Sequence, residues 1–280
     1  MLTINLALVS EVNGHDPADV ARVAAALQRQ ATRDFEPIWN VRATLDAFPE
    51  LEDVPIGYWP MIVRDDIGFE GAAGIHLDKH GQPFALITYG TSWSLTASHE
   101  MLEMLADPFG SRLVPGRSPK RRQGRVEFLV EVCDPSEAAR FGYTVNDILV
   151  SDFYTPRFFD PVRSDGVRYS FTGAIERPRH ILRGGYLSWH DPVSDHWWQQ
   201  VWFGDRKQFR DLGVFEASVE SLRSEIDKQT PHPELTKGLK KSDKTLEEAV
   251  ALGKETKKAS ASKAASWREQ IATIRDQAKT

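Results

Sequence analysis

Residues 94–106 constrain this chain most: Leu95, Leu102, Leu105 and Ala106 recur on a helical period, and Asp107-Pro108-Phe109-Gly110 ends the run sharply. The flanking residues are apolar on both sides, so the predicted helix is central and buried. Yet it carries His99, Glu100 and Glu103. Left unpaired in such a place these side chains are costly, so they require partners or a ligand.

The elements around that helix can be read in order. The apolar run at residues 1–9 predicts a strand. Asp16-Pro17 then supplies an N-cap and a first-turn proline for a helix in which Val20, Val23, Leu27 and Ala31 share a face, ending near Asp34. Residues 36–52 read as irregular. A second strand is expected over 56–63 despite Pro60, and two more, at 73–77 and 84–89, flank the turn residues Asp78-Lys79-His80-Gly81 as a hairpin. After the central helix, residues 112–125 read as a basic, proline-containing loop. Over 126–132, Val126, Phe128, Val130 and Val132 alternate with Glu127, Leu129 and Glu131, which predicts a strand with acids toward its end. Residues 143–205, rich in aromatics and turns, read as an irregular, β-leaning subdomain. The expected class is α+β: one domain over residues 1–228, with subdomains at about 1–110 and 111–228.

Composition narrows the function. With 280 residues and a formal net charge of -5, the chain has no block basic enough to face a nucleic-acid duplex, so nucleic acid is excluded as main partner. Its single cysteine, Cys133, rules out an internal disulfide and a cysteine-rich zinc cluster, so a metal here must use His and carboxylates. No stretch approaches the roughly 18 apolar residues that span a bilayer, and residues 1–9 lack a basic signal-peptide start; the expectation is a cytoplasmic protein without a membrane partner. In the last 52 residues, 11 Lys or Arg face 7 Asp or Glu. Residues 229–280 therefore read as a basic, flexible or weakly helical tail that can dock a protein partner.

On a helix, His99 and Glu103 are four residues apart, so both project from one face and can grip one ion. Glu100 stands beside the first ligand, where a carboxylate can take a proton from water activated by that ion. A catalytic zinc site needs three protein ligands, and Glu131-Val132-Cys133-Asp134-Pro135 is the best source of the third. In a strand Glu131 and Asp134 point to opposite faces; a turn at Cys133 brings both to one site. The third ligand is Asp134 or Glu131, and if both bind, the closed shell is structural. One nitrogen and two carboxylates suit Zn2+ first, with Mn2+ or Fe2+ as alternatives. Tyr154, Tyr186 and His190 are candidates to steady an oxyanion. His76 reads as a satisfied structural histidine, Cys133 as a buried small side chain, and the tryptophans at 189, 197, 198 and 202 as core or partner surface.

Thr96-Ala97-Ser98-His99-Glu100, continuing to Pro108 and followed by Glu131-Val132-Cys133-Asp134-Pro135, resembles the zincin-like metallopeptidases with a variant H-E-x-x-E helix. More narrowly it is similar to a group of bacterial and phage-associated proteins, through Gly74-Ile75-His76, Val150-Ser151-Asp152-Phe153-Tyr154-Thr155-Pro156 and Gly184-Gly185-Tyr186. A weaker likeness, Ser-His-Glu then Glu-x-x-Asp, is to the plant EXORDIUM-like phosphate-induced proteins. The resemblance implies a twisted mixed sheet over a metal-bearing helix, with a C-terminal subdomain closing the cleft. It also implies metal on His99, Glu103 and Asp134 or Glu131, with Glu100 as general base for hydrolysis of a peptide or protein substrate. Glu103 departs from the second histidine of other zincins. The alternative is a non-catalytic metal-binding or structural protein, such as cargo of a phage-like particle.

Overall fold

Leu6, Ala7, Leu8 and Val9 are all fully buried, the signature of a strand covered on both faces in the middle of a parallel sheet. In the computed structural model, which describes residues 3–69, 72–79, 81–215 and 221–230, these residues form the heart of β1 (Ile4–Ser10). β1 pairs in parallel with β2 (Ala43–Phe48) on one side and β3 (Trp59–Arg64) on the other. β3 pairs in parallel with β5 (Gln82–Thr88), and the antiparallel hairpin partner of β5, β4 (Gly74–Lys79), forms the far edge. The result is a five-stranded mixed sheet in the order β2-β1-β3-β5-β4.

Pro60 is tolerated because of where it falls. It pairs with Ala7 on the β1 side, whereas pairing with β5 starts only at Met61, so no second ladder asks Pro60 for an N–H. The first helix, α1 (Pro17–Arg29), is capped by Asp16, whose side chain accepts from the Ala18 N–H. It continues through a π-helical turn at Gln30–Phe35 into the short α2 (Glu36–Trp39), which Asn40 ends in the left-handed region. Residues 36–52 are thus not all irregular, since β2 lies within them. Its outer edge is served by Gln28 of α1, which donates to the Ala43 carbonyl and accepts from the Leu45 N–H.

The central helix, α3 (Trp93–Ala106), follows β5. Beyond it, β6 (Leu113–Arg117) occupies part of the segment expected to be loop, with Pro115 harmless because β6 is an edge strand. β7 (Arg125–Leu129), β10 (Tyr186–Asp191), β11 (His196–Val201) and β12 (Gln208–Gly213) complete an antiparallel sheet in the order β12-β11-β10-β7-β6. Between its strands, β8 (Tyr143–Val145) and β9 (Ile148–Val150) form a hairpin whose loop, Asn146-Asp147, has positive φ at both positions, the two-residue turn that suits strand twist. One apolar core runs through both large sheets, from Leu6 and Leu8 through Met101 and Leu102 to Phe128 and Trp189. The class is α+β, as expected. Among the described residues no helix is long and apolar enough to cross a membrane. The final described element is α4 (Leu222–Gln229); apart from Gln229 and Thr230, the expected basic tail lies outside the described residues.

Candidate metal centre

Apart from Ser94, every residue of α3 is buried, polar ones included. Each polar side chain has its own setting. Ser98 donates to Gln30 Oε1 at 2.7 Å and accepts from the Ser151 N–H at 2.9 Å, while Gln30 returns a bond to the Ser151 carbonyl at 3.0 Å. That closed network locks α3 to the end of α1 and to the chain after β9. His99 and Glu103, one helical turn apart, look toward the second sheet instead.

What meets them is the end of β7. The strand stops at Leu129, and at Cys133 the backbone turns (φ -101, ψ -29) into a 3-10 turn over Asp134–Ser136. Glu103 Oε1 accepts the Cys133 N–H at 3.1 Å, which fastens this turn to α3. Gly185 packs from the other side: a Cβ there would sit 2.5 Å from the Asp134 carbonyl oxygen and 2.6 Å from that of Pro135. The turn thus brings Asp134 to His99 and Glu103 on α3, whereas Glu131 is not among the donors that converge there.

His99 Nε2 lies 3.4 Å from Glu103 Oε2 and 3.1 Å from Asp134 Oδ1. Donor atoms of these three residues all fall within 4.8 Å of one another, and each residue is at most 2% exposed. Ligands about 2.0–2.1 Å from one tetrahedral ion stand about 3.4 Å apart, a spacing these residues match, and the same distances also serve direct contact between the His99 ring and the two carboxylates. One imidazole and two carboxylates form a donor set suited to zinc, manganese or iron.

Glu131 and the two tyrosines adjoin this trio. Burial, then the charge of Asp134, pushes the Glu131 carboxyl well above the usual carboxylate range. The Tyr154 hydroxyl accepts from the Glu131 N–H at 3.0 Å, and burial followed by the charges of Glu131 and Glu103 raises its pKa well above that of an ordinary tyrosine. Tyr186 is raised likewise, by burial and then by Asp134 and Glu131. His190 is placed apart from the buried trio: its ring nitrogens pair with Glu127 at 3.3 Å and Asp195 at 2.9 Å, on the β10–β11 hairpin. Burial also raises the Cys133 thiol far above its ordinary value, which leaves it a neutral neighbour.

Two residues enter the centre from places the sequence pattern does not advertise. Arg223, on α4, is 3% exposed; its guanidinium pairs with Glu103 Oε2, lies 3.6 Å from Asp134 Oδ2 and reaches Asp227 at 3.3 Å. Its backbone N–H donates to the Gly110 carbonyl, which fixes α4 against the end of the central helix. A serine N-cap at Ser221 and the Arg223–Asp227 spacing are the only local signals for this. The other is His76 on β4, whose Nδ1 is 3.5 Å from Glu100 Oε2.

The charges are coupled. Burial alone would raise both helix glutamates, but Arg223 and His99 outweigh it and hold Glu103 down to about 2. Glu100 is held below the usual carboxylate range, against burial, by His76, His99 and Arg223. Burial opposes a charged His99 ring, yet Glu103 foremost, with Asp134, holds it well above the ordinary histidine value. No family model, curated protein or solved structure matches this chain, so the functional reading rests on these side chains themselves.

Proposed function

We propose that this chain is a metal-dependent hydrolase, of the peptidase type its helix motif resembles, with a divalent ion held by His99, Glu103 and Asp134. The observation that carries this reading is the convergence of those three buried donors at ligand spacing, from one helical turn of α3 and from the bend after β7. An ion bound there supplies Lewis-acid activation of water and of a scissile carbonyl. The chain supplies the rest. Glu100 is ionised, the state in which a carboxylate can accept a proton or serve an ion. Arg223 brings fixed positive charge against Glu103 and Asp134, and Tyr154 and Tyr186 are the candidate O–H donors to a developing oxyanion.

A second reading has one observation in its favour. Every candidate ligand is almost fully buried, as suits an ion that stabilises a non-catalytic scaffold such as a particle cargo. Elemental mass spectrometry on protein purified without chelator, beside His99→Ala, tests the shared premise. Bound zinc, manganese or iron that is lost in the variant supports the centre; none, before or after titration, removes it. Chelator-sensitive cleavage of a peptide library then supports the hydrolase. Tightly bound metal that raises the melting temperature with no cleavage supports the scaffold.

A further inference from the structure

His76 is anchored through one ring nitrogen. Its Nε2 lies 3.1 Å from the backbone carbonyl oxygen of Asp107, at the end of α3. A carbonyl oxygen only accepts, so Nε2 carries a hydrogen, and Nδ1 is the ring atom left to face the helix. It stands 3.5 Å from Glu100 Oε2. Neither atom has a hydrogen-bond partner among the described residues, and both residues are at most 2% exposed. Either a proton on Nδ1 or a metal ion between the two atoms satisfies this buried pair.

The surroundings hold this pair in position and add a third donor. At Gly74, two residues before His76 on β4, a Cβ would stand 2.8 Å from Glu100 Oε1 and 2.6 Å from Thr96 Cγ2. The bare backbone there lets β4 close onto α3 and sets Glu100 toward His76. Glu103, three residues along the same helix face, brings a carboxylate oxygen within 4.8 Å of donor atoms on both His76 and Glu100. Glu100, Glu103 and Asp134 are all buried, with Arg223 against Glu103 and Asp134 and away from the His76–Glu100 contact.

We propose that His76, Glu100 and Glu103 form a second divalent transition-metal site, and that Glu103 is shared with the first, so that the centre takes two ions bridged by one carboxylate. This rests on the reading that His99, Glu103 and Asp134 bind the first ion, and it assigns Glu100 as a ligand. The His76 N–H to Asp107 bond is the outer-shell contact that orients a ligating histidine. Two ions this close act as a clamp on both the attacking and the leaving atoms of a hydrolysis.

The test is the stoichiometry and magnetic coupling of the full-length protein, stripped with chelator and reloaded with Zn2+ or with Mn2+. The wild type is expected to bind two equivalents, and the Mn2+ form to give the electron paramagnetic resonance spectrum of an exchange-coupled pair. His76→Ala and the near-isosteric Glu100→Gln, each checked for native circular dichroism, are expected to retain one equivalent and an uncoupled spectrum. One equivalent in the wild type with an uncoupled spectrum overturns the second site and leaves the first standing, with His76 then a protonated partner of Glu100. No bound metal overturns both. The wild-type spectrum decides the matter even where a variant does not fold.

Discussion

Replacing Glu103 by Gln keeps the shape and the acceptor for the Cys133 N–H while removing the charge that Arg223 and His99 face. An ordinary glutamate titrates near 4.5, and the native surroundings hold this one down to about 2. That difference is worth about 3 kcal/mol of native stability at neutral pH in metal-free protein. Breaking a buried ion pair by removing one partner costs about 3–5 kcal/mol, which agrees. The sign of the pH dependence follows from the lowered native value: the stabilisation is fully present above about pH 5 and is lost as pH falls toward 2. Urea unfolding of wild type and Glu103→Gln, both with chelator present, reads this directly. The expected gap is about 3 kcal/mol at pH 7 and less than half of that at pH 3. In a chain of this size the neutral-pH loss is a drop of about 6–12 °C in melting temperature. A gap below about 1 kcal/mol at pH 7, or one unchanged at pH 3, would show that Arg223 and His99 do not stabilise an ionised Glu103.

Three further outcomes follow from separate parts of the molecule. Ser98→Ala strands both Gln30 Oε1 and the Ser151 N–H, and is expected to cost about 1–3 kcal/mol by denaturant titration; a neutral result contradicts the network. Gly185→Ala places a Cβ against two backbone carbonyls of the turn that carries Asp134, so a loss of about 1–3 kcal/mol and weaker metal retention are expected together. Unchanged melting temperature and unchanged metal content would show that the turn can yield freely. His180 is pushed down to about 4, by burial first and then by the charges of Lys207 and Arg177. Because the unfolded chain takes up this proton first, the contribution of neutral His180 to stability falls as pH drops from about 6.5 to about 4. Its ring resonances should titrate near pH 4 in the folded protein, and a midpoint near 6.5 contradicts that environment.

What could be read from sequence was what local pattern determines. The continuous apolar run of β1, the Asp16-Pro17 start of α1, the β4–β5 hairpin and the stop at Asp107-Pro108 all carry their own signals. β2 and β6 do not: both are edge strands with mixed faces, held by Gln28 of α1 in the case of β2 and by the next strand, β7, in the case of β6. The candidate site divides in the same manner. His99 and Glu103 are legible as a helical pair, whereas the choice between Glu131 and Asp134 depends on a turn at Cys133 that no spacing rule fixes. His76 reads as an ordinary strand residue until β4 is packed on α3. Arg223 is invisible for the same reason, since its partners Glu103 and Asp134 are brought to it only by the folded chain.

Anomalous diffraction at the zinc edge, from crystals of the protein loaded with zinc, is the direct test of a divalent ion between His99, Glu103 and Asp134. The expected result is an anomalous peak bonded to His99 Nε2 and to carboxylate oxygens of Glu103 and Asp134. Well-ordered side chains bonded only to one another and to Arg223, with no peak among them in the zinc-loaded crystal, would contradict it.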